Sequence, residues 1–248
     1  MYSPLEQFGV IPLIPIHFGF IDLSLTNSAV YCLLTAACLS LVWYTILLGG
    51  GFVVPSRYQV ASEMTHEFAF SLANEQLGEN AQPYFPIVLT TFLYILASNL
   101  IGLIPFSFAT TAQLVLAFGM SFSLFIGVTL IGVQKHGLHF LSFFLPSGAP
   151  IWLAPLLVMI ELISYIFRPI SLGVRLFANI TAGHSLLAII AGFGWSMLSS
   201  GSAMAIAAII PVGVIVLVFG LELAVAFLQA YVFGVLLCIY LKDAIELH

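Results

Sequence analysis

Apolar residues fill this chain in runs long enough to cross a lipid bilayer, and the length of each run predicts what it forms. A spanning helix needs about 20 predominantly apolar residues. The runs at 27–48, 85–105 and 110–133 each fit one crossing. They predict three spanning helices, of which the last two form a hairpin over 85–133.

Two later apolar runs, 150–192 and 203–242, are about twice as long as one crossing requires. An apolar helix of that length must tilt, kink or be something other than a simple span. We therefore expect two steeply tilted helices, separated by the Gly- and Ser-rich break at 192–202 and each bent at a proline, Pro169 or Pro211. Four short helices in re-entrant pairs are the alternative.

The segment 55–82 has a different pattern, with apolar residues on one helical face only. Val60, Met64, Phe68 and Leu72 follow one another at intervals of four residues. The opposite side carries the polar residues Glu63, His66, Glu67, Asn74 and Glu75. This pattern predicts an amphipathic helix that lies along the membrane surface. Its acidic side favours a protein partner over anionic lipid.

The composition agrees with a membrane protein. The 248 residues are 62% hydrophobic and only 6% charged, whereas soluble domains are about 25% charged. We predict a single all-α, polytopic integral-membrane domain over 1–248. It comprises an N-terminal segment at 1–26, three spanning helices, one membrane-surface helix and a long, tilted hairpin over 150–242. No basic patch suited to nucleic acid is present in the sequence.

Basic residues outside the apolar runs predict the orientation. Arg57 follows the first span, Lys135 the third and Lys242 the last. With five crossings, these three residues fall on one side of the membrane. The positive-inside rule makes that side cytoplasmic, or the matrix in an organelle. The N-terminus then lies on the opposite side.

Within the first long apolar run, charged residues recur at a fixed interval. Glu161, Arg168 and Arg175 are each seven residues apart, so they lie close to one helix face. Asn179 follows near the same face, and His184 comes further along. An arginine at the centre of a bilayer costs about 2.5 to 3.5 kcal/mol, which makes it a functional candidate.

The second long run carries Glu222 and Gln229, again seven residues apart, and Asp243 near its end. Together the two runs form a series of proton-exchanging or hydrogen-bonding groups interrupted by a permanent cation. Arginine does not deprotonate in proteins. It attracts and releases a carboxylate, and it blocks a proton from passing.

Three other interpretations of these residues remain open. Glu161 with Arg168, or Glu222 with Arg175, would simply neutralise each other inside a helix bundle. A purely structural membrane subunit is a second class. A self-contained ion channel or secondary transporter is a further class, although transporters commonly show inverted repeats and no repeat is evident.

The residues RLFANITAGHSLL at 175–187 closely resemble the signature of subunit a of the F-type ATP synthases. ELAVAFLQAYVFGVLLCIYLKDA at 222–244 resembles the last helix of that family, and PIVLTTFLYILASNLIGLIPFSF at 86–108 resembles an earlier one. The resemblance covers essentially the whole chain. It implies a stator subunit whose tilted hairpin packs against a rotating ring of c subunits, each with one carboxylate.

The resemblance also implies a role for each polar residue. Arg175 matches the essential arginine that faces the ring carboxylate and separates two proton half-channels. The residues matching the half-channel through which protons enter, called here the uptake half-channel, are Asn179, His184, Glu222 and Gln229. Glu161 matches the carboxylate of the release half-channel, to which Asp243 contributes, and Arg168 is expected to support the hairpin.

The pair His184 and Glu222 exchanges the Glu and His of many bacterial members and so resembles the mitochondrial branch. The opening SPLEQF looks like fungal mitochondrial forms. The implied location is the mitochondrial inner membrane, with the N-terminus in the intermembrane space and the C-terminus in the matrix. The implied partners are the c-ring, the peripheral stalk, other small membrane subunits and the bilayer.

No bond chemistry is expected of this polypeptide alone. It has no phosphate-binding loop, so we predict a non-catalytic, proton-translocating subunit without cofactor or metal. Cys32, Cys38 and Cys238 lie in apolar segments and are interpreted as small core residues rather than as disulfide partners or metal ligands.

Overall fold

The computed structural model describes residues 6–18, 21–22, 24–48, 55–104, 107–137, 140, 152–201 and 207–246. Within these residues the chain forms six α-helices. They are α1 (Asn27–Leu48), α2 (Arg57–Leu77), α3 (Ala81–Gly102), α4 (Leu114–His136), α5 (Ala154–Ser199) and α6 (Ile209–Ile245). Residue 105 at the end of one predicted span, residues 150–151 at the start of the predicted hairpin and residues 202–206 between its two long runs fall outside the described residues.

Among the described residues, five of these six helices are long and apolar enough to cross a membrane, and α2 is the exception. This confirms the predicted class, an all-α polytopic membrane protein. The first predicted span, 27–48, coincides with α1. The spans predicted at 85–105 and 110–133 correspond to α3 and α4, each displaced by a few residues at its ends.

The two long apolar runs form two long helices rather than four short ones. Helix α5 has 46 residues and α6 has 37. At a rise of 1.5 Å per residue, α5 is about 69 Å long, roughly twice the hydrocarbon thickness of a bilayer. The alternative of short re-entrant helices is therefore wrong.

The predicted break at 192–202 was placed too early, because α5 continues to Ser199. Gly and Ser lower helix propensity by at most about 1 kcal/mol each, whereas an unpaired backbone group in apolar surroundings costs more. Pro169 lies inside α5, as expected. Pro211 lies in the first turn of α6, where its missing N–H removes no helical hydrogen bond, so it does not interrupt that helix.

Helix α2 begins at a capping serine and ends at a glycine. Gln59 donates its backbone N–H to the Ser56 hydroxyl, and Gly78 follows the helix with a φ of 56°. The polar side is exposed as predicted. The buried side is narrower than predicted: Leu72 is buried, but Met64 is exposed, so the apolar stripe is only partly covered by the protein. A position at the membrane surface remains a prediction.

Contacts divide the chain into two compact units. The first contains Met1–Trp43, Tyr94–Gln113 and Leu176–Ala230. The second contains Tyr44–Leu93, Leu114–Arg175 and Tyr231–His248. The candidate residues are therefore distributed between the two units.

The first unit begins with short strands that the sequence analysis did not predict. Pro12–Ile14 (β1) pairs antiparallel with Leu25–Thr26 (β4), and His17–Phe18 (β2) pairs with Ile21–Asp22 (β3). Asn27 fastens the start of α1 to this segment, since its side-chain amide donates to the carbonyl of Gly9 at 3.0 Å. The N-terminal segment is thus held in place by side-chain and backbone hydrogen bonds.

The second unit has an apolar core where α2 meets α3 and the end of α6. Its buried residues are Ala69, Leu72, Ala73, Leu77, Ala81, Phe85, Val88, Val128, Leu237, Cys238, Leu241, Ala244 and Ile245. A glycine also allows close packing of α5 against α4 in this unit, because a Cβ added at Gly173 would lie 3.3 Å from the Cα of Phe118. Cys238 is buried as predicted, whereas Cys38 is exposed on α1, so the prediction that it is a core residue was wrong.

Candidate functional site

In the first unit, an acid and a base line one cavity of about 790 Å³. His184 comes from α5 and Glu222 from α6. Glu222 is only 7% exposed. Neither of its carboxyl oxygens, nor Nε2 of His184, has a hydrogen-bond partner among the described residues. A water molecule occupies about 30 Å³ in the liquid, so the cavity is large enough to admit several.

A glycine lets the Glu222 carboxyl lie directly against α5. A Cβ added at Gly183 would lie 2.9 Å from Cδ of Glu222 and closer still to Oε1. Any larger residue would therefore push the carboxyl away. Gly183 precedes His184 in the chain, so one turn of α5 supplies both the base and the space for the acid.

A second pair of polar groups joins the same two helices. The side-chain amide of Asn179 donates to Oε1 of Gln229 at 2.8 Å. Gln229 is 4% exposed, and its own amide nitrogen has no partner within the described residues. The structure thus brings together Asn179 with Gln229, and His184 with Glu222, in the first unit.

A buried network around Asn99 was missed by the sequence analysis. Asn99 of α3 donates its side-chain amide to the backbone carbonyl of Ala226 at 3.3 Å. It accepts a hydrogen bond from the hydroxyl of Thr111 at 3.0 Å. The available signal was an asparagine inside an otherwise apolar run. This network fixes α6 one turn beyond Glu222.

In the second unit, Arg168 is the centre of a charged cluster. Its guanidinium donates to Oδ2 of Asp243 at 2.7 Å and lies 3.9 Å from Glu161. The rings of Tyr165 and Tyr240 flank it at 5.7 and 5.4 Å from their centroids. The pairing of Glu161 with Arg168 is therefore present but secondary, because Asp243 is the closer partner.

Arg175 differs from Arg168. It is exposed on α5, and within the described part of its own unit it makes neither an ion pair nor a hydrogen bond. An arginine that is not neutralised by its own unit keeps its charge available to an outside group. No cluster of three or more His, Cys, Asp or Glu suited to a metal ion occurs among the described residues.

Five long apolar helices, two of which bring a buried acid and a half-buried base to one cavity, define a polytopic membrane protein. Comparison with known proteins specifies the family. The sequence profile described as "ATP synthase A chain" matches residues 29–242. The chain therefore belongs to the ATP synthase A chain family.

Individual relatives are similar to this chain over 99% of its length. ATP synthase subunit a of Marchantia polymorpha is 51% identical over 249 residues, covering 99% of each chain. ATP synthase subunit a of Chondrus crispus is 45% identical over 246 residues, covering 99% of this chain and 97% of the relative. ATP synthase subunit a-2 of Arabidopsis thaliana is 49% identical over 252 residues, covering 99% of this chain and 72% of the relative. These relatives are plant and algal, so the expectation of a fungal origin is not supported.

Proposed function

We propose that this chain is the stator subunit that forms two proton half-channels of an F-type ATP synthase and exchanges protons with the carboxylates of a rotating c-ring. The observation that carries the proposal is the buried carboxyl of Glu222, which shares a cavity with His184 and has no hydrogen-bond partner among the described residues. A buried acid without a fixed partner is suited to gaining and losing a proton.

The uptake half-channel is assigned to the first unit. His184 and Glu222 line its cavity, and the hydrogen bond from Asn179 to Gln229 continues the polar lining between α5 and α6. Protons reach this pair of residues and pass to a ring carboxylate. The neutralised carboxylate then moves into lipid at a much lower cost than a charged one.

The release half-channel is assigned to Glu161 and Asp243 of the second unit. Arg168 holds both carboxylates near one guanidinium. Asp243 is tied more closely than Glu161, which lies 3.9 Å from Arg168 and is freer to accept a proton. Glu161 is therefore the acceptor, and Arg168 and Asp243 form its support.

Arg175 is assigned as the separator of the half-channels. Along α5 it follows Glu161 and Arg168 and precedes Asn179 and His184. Its guanidinium is exposed and unpaired within the described part of its unit. It is therefore available to a ring carboxylate, while its permanent charge prevents a proton from crossing directly.

The driving force comes from the membrane potential. One proton moving through 100 mV releases about 2.3 kcal/mol, so several protons are required for each ATP. The polypeptide itself catalyses no bond formation. The chain is assigned to the mitochondrial inner membrane. The positive-inside rule, applied to Arg57, Lys135 and Lys242, favours a C-terminus in the matrix and an N-terminus in the intermembrane space. The c-ring, the peripheral stalk and other small membrane subunits are its partners.

The deciding experiment compares wild type with Arg175→Ala in reconstituted, assembled complex. ATP-driven pumping and passive proton leak under an imposed gradient are both recorded. Lost pumping with leak retained or raised supports the separator role. Arg57→Ala is the matched control, because Arg57 is also exposed but lies outside the spanning helices. Pumping by Arg175→Ala at the wild-type rate would refute the assignment.

A further inference from the structure

The side chain of Phe8 reaches from the N-terminal segment to the base in the cavity. Its ring lies edge-on to the imidazole of His184, with centroids 6.3 Å apart and an interplanar angle of 89°. The same ring packs on a small apolar cluster formed by Ala109, Ala112 and Ile180. Ile180 precedes His184 by about one helical turn, so Phe8 covers both residues from one side.

Hydrogen bonds fix the position of Phe8. The side-chain amide of Gln113 donates to the carbonyl of Phe8 at 2.7 Å, across 105 residues of sequence. The next residue, Gly9, is held by the side chain of Asn27. Gln7, on the other side of Phe8, lines the cavity together with Asn27 and His184. The N-terminal segment is therefore part of the cavity wall, and its attachment points are specific.

His184 needs such a contact because the described residues supply no hydrogen bond to its Nε2. An imidazole without a hydrogen bond at this nitrogen is less restricted among its rotamers. An edge-on aromatic neighbour favours one of them, because the positive edge of one ring faces the negative face of the other. Phe8 thus limits where the two ring nitrogens point within the cavity.

We propose that Phe8 is a positioning residue for His184 and that the N-terminal segment Glu6–Phe8 sets the efficiency of proton uptake through this contact. The proposal rests on the proposed function, in which His184 belongs to the uptake half-channel. It assigns a role to a segment that lies before the first spanning helix. The competing explanation is that Phe8 only fills apolar space on Ala109, Ala112 and Ile180.

Ring-retaining and ring-removing variants separate the two explanations. Phe8→Leu keeps apolar contact with the cluster but removes the ring, whereas Phe8→Tyr keeps the ring. ATP-driven proton pumping is measured in membrane vesicles and normalised to the amount of assembled ATP synthase. We expect Phe8→Leu to slow pumping roughly two- to tenfold and Phe8→Tyr to stay near wild type. Phe70→Leu is the control, since the Phe70 ring makes an edge-on contact with Phe85 and does not line the cavity.

Dependence on His184 is tested by a double-mutant cycle. In a His184→Gln background, Phe8→Leu is expected to cause no further loss, because its effect acts through the imidazole. Gln113→Leu, which removes the hydrogen bond to the Phe8 carbonyl, is expected to reproduce part of the Phe8→Leu defect and not to add to it. It also replaces Phe8→Leu as the probe if that variant does not assemble.

The possible pumping rates of these variants each support or overturn the positioning role of Phe8. Pumping by Phe8→Leu at the wild-type rate, equal defects in Phe8→Leu and Phe8→Tyr, or equal slowing with and without His184 would each overturn the positioning role. If His184→Gln alone stops pumping, the double-mutant cycle gives no reading. The comparison of Phe8→Leu with Phe8→Tyr, together with Gln113→Leu, then decides whether Phe8 positions His184. Pumping by His184→Gln at the wild-type rate would instead refute the proposed uptake pathway itself.

Discussion

Asn179 and Gln229 form a direct side-chain hydrogen bond of 2.8 Å between the two longest helices of the chain. Gln229 is almost completely buried and Asn179 is exposed on α5. A single polar contact in apolar surroundings fixes the register of two helices, because any shift leaves both amides without partners. Gln229 lies two turns beyond Glu222 on α6, so the bond also fixes the position of the Glu222 side chain relative to α5.

Removing this bond should slow proton uptake. We expect Gln229→Leu and Asn179→Ala each to lower ATP-driven pumping, and the double variant to be no worse than the more severe single one. The coupling between the two should amount to about 0.5 to 1.5 kcal/mol, the usual net value of a hydrogen bond. Pumping rates of the four proteins, normalised to assembled complex, give the coupling. Strictly additive losses would mean that the two amides act separately.

Replacing Glu222 by its neutral isostere tests the acid directly. Glu222→Gln keeps the size of a side chain that is already buried, so the complex should assemble normally. Proton pumping should fall strongly, since an amide neither gains nor loses a proton at neutral pH. Glu75→Gln on the exposed side of α2 is the control. Unchanged proton flux in Glu222→Gln would count against the uptake pathway.

Gly183 provides a steric test of the same site without changing any titratable group. Gly183→Ala places a methyl group within 2.9 Å of Cδ of Glu222, so the carboxyl must move. We expect slower pumping with normal assembly. Gly192→Ala is the matched control on the same helix, because a Cβ there meets nothing within 4 Å. Similar rates for the two alanine variants would show that the position of the carboxyl is unimportant.

The sequence predicted correctly those features that depend on one physical quantity, such as the length of an apolar run. The spanning helices follow from the length of apolar runs, because every backbone polar group in lipid must be paired within the helix. The break after α5 was misplaced at 192–202, because Gly and Ser are weak helix breakers compared with the cost of unpaired backbone in apolar surroundings. The N-terminal strands were missed because they are only two or three residues long.

The candidate site was only partly predictable for a related reason. Spacing along one helix identified Glu161, Arg168 and Arg175 as a set, but periodicity carries no information on contacts between helices. Asp243 is 75 residues from Arg168 in sequence and is nevertheless its nearest acid. Asn99 was overlooked because a single asparagine in an apolar run shows nothing about its partner, the carbonyl of Ala226.

The two arginines of α5 should respond differently to substitution. Arg168→Ala removes the partner of Asp243 and should lower the thermal stability of the complex. The guanidinium and the carboxylate are partly exposed, so the loss should fall between exposed and buried pairs, at about 1 to 3 kcal/mol. Its effect on proton flux should be milder than that of Arg175→Ala, which removes a charge that has no ion pair or hydrogen bond within the described part of its unit.

Thermal dissociation of the purified complex and proton pumping in vesicles measure the two effects separately. Asp243→Asn is the matched variant, because it removes the charge on the other side of the 2.7 Å ion pair. We expect it to resemble Arg168→Ala in stability. A flux defect in Arg168→Ala as complete as that of Arg175→Ala would place Arg168 in the proton path rather than in its support.

The cavity beside His184 should be accessible to water-soluble reagents at Gln7. Gln7 and Glu6 are both exposed in the same short helical turn, but only Gln7 lines the cavity. A charged thiol reagent attached to Gln7→Cys should therefore block proton uptake, whereas the same reagent on Glu6→Cys should leave pumping nearly unchanged. The wild-type chain, which contains Cys32, Cys38 and Cys238, gives the background reaction.

Reagent added from the intermembrane-space side alone should suffice if the uptake half-channel opens there. Inhibition only from the matrix side would reverse the assigned orientation, and equal responses at positions 6 and 7 would show that this cavity is not the route of the proton.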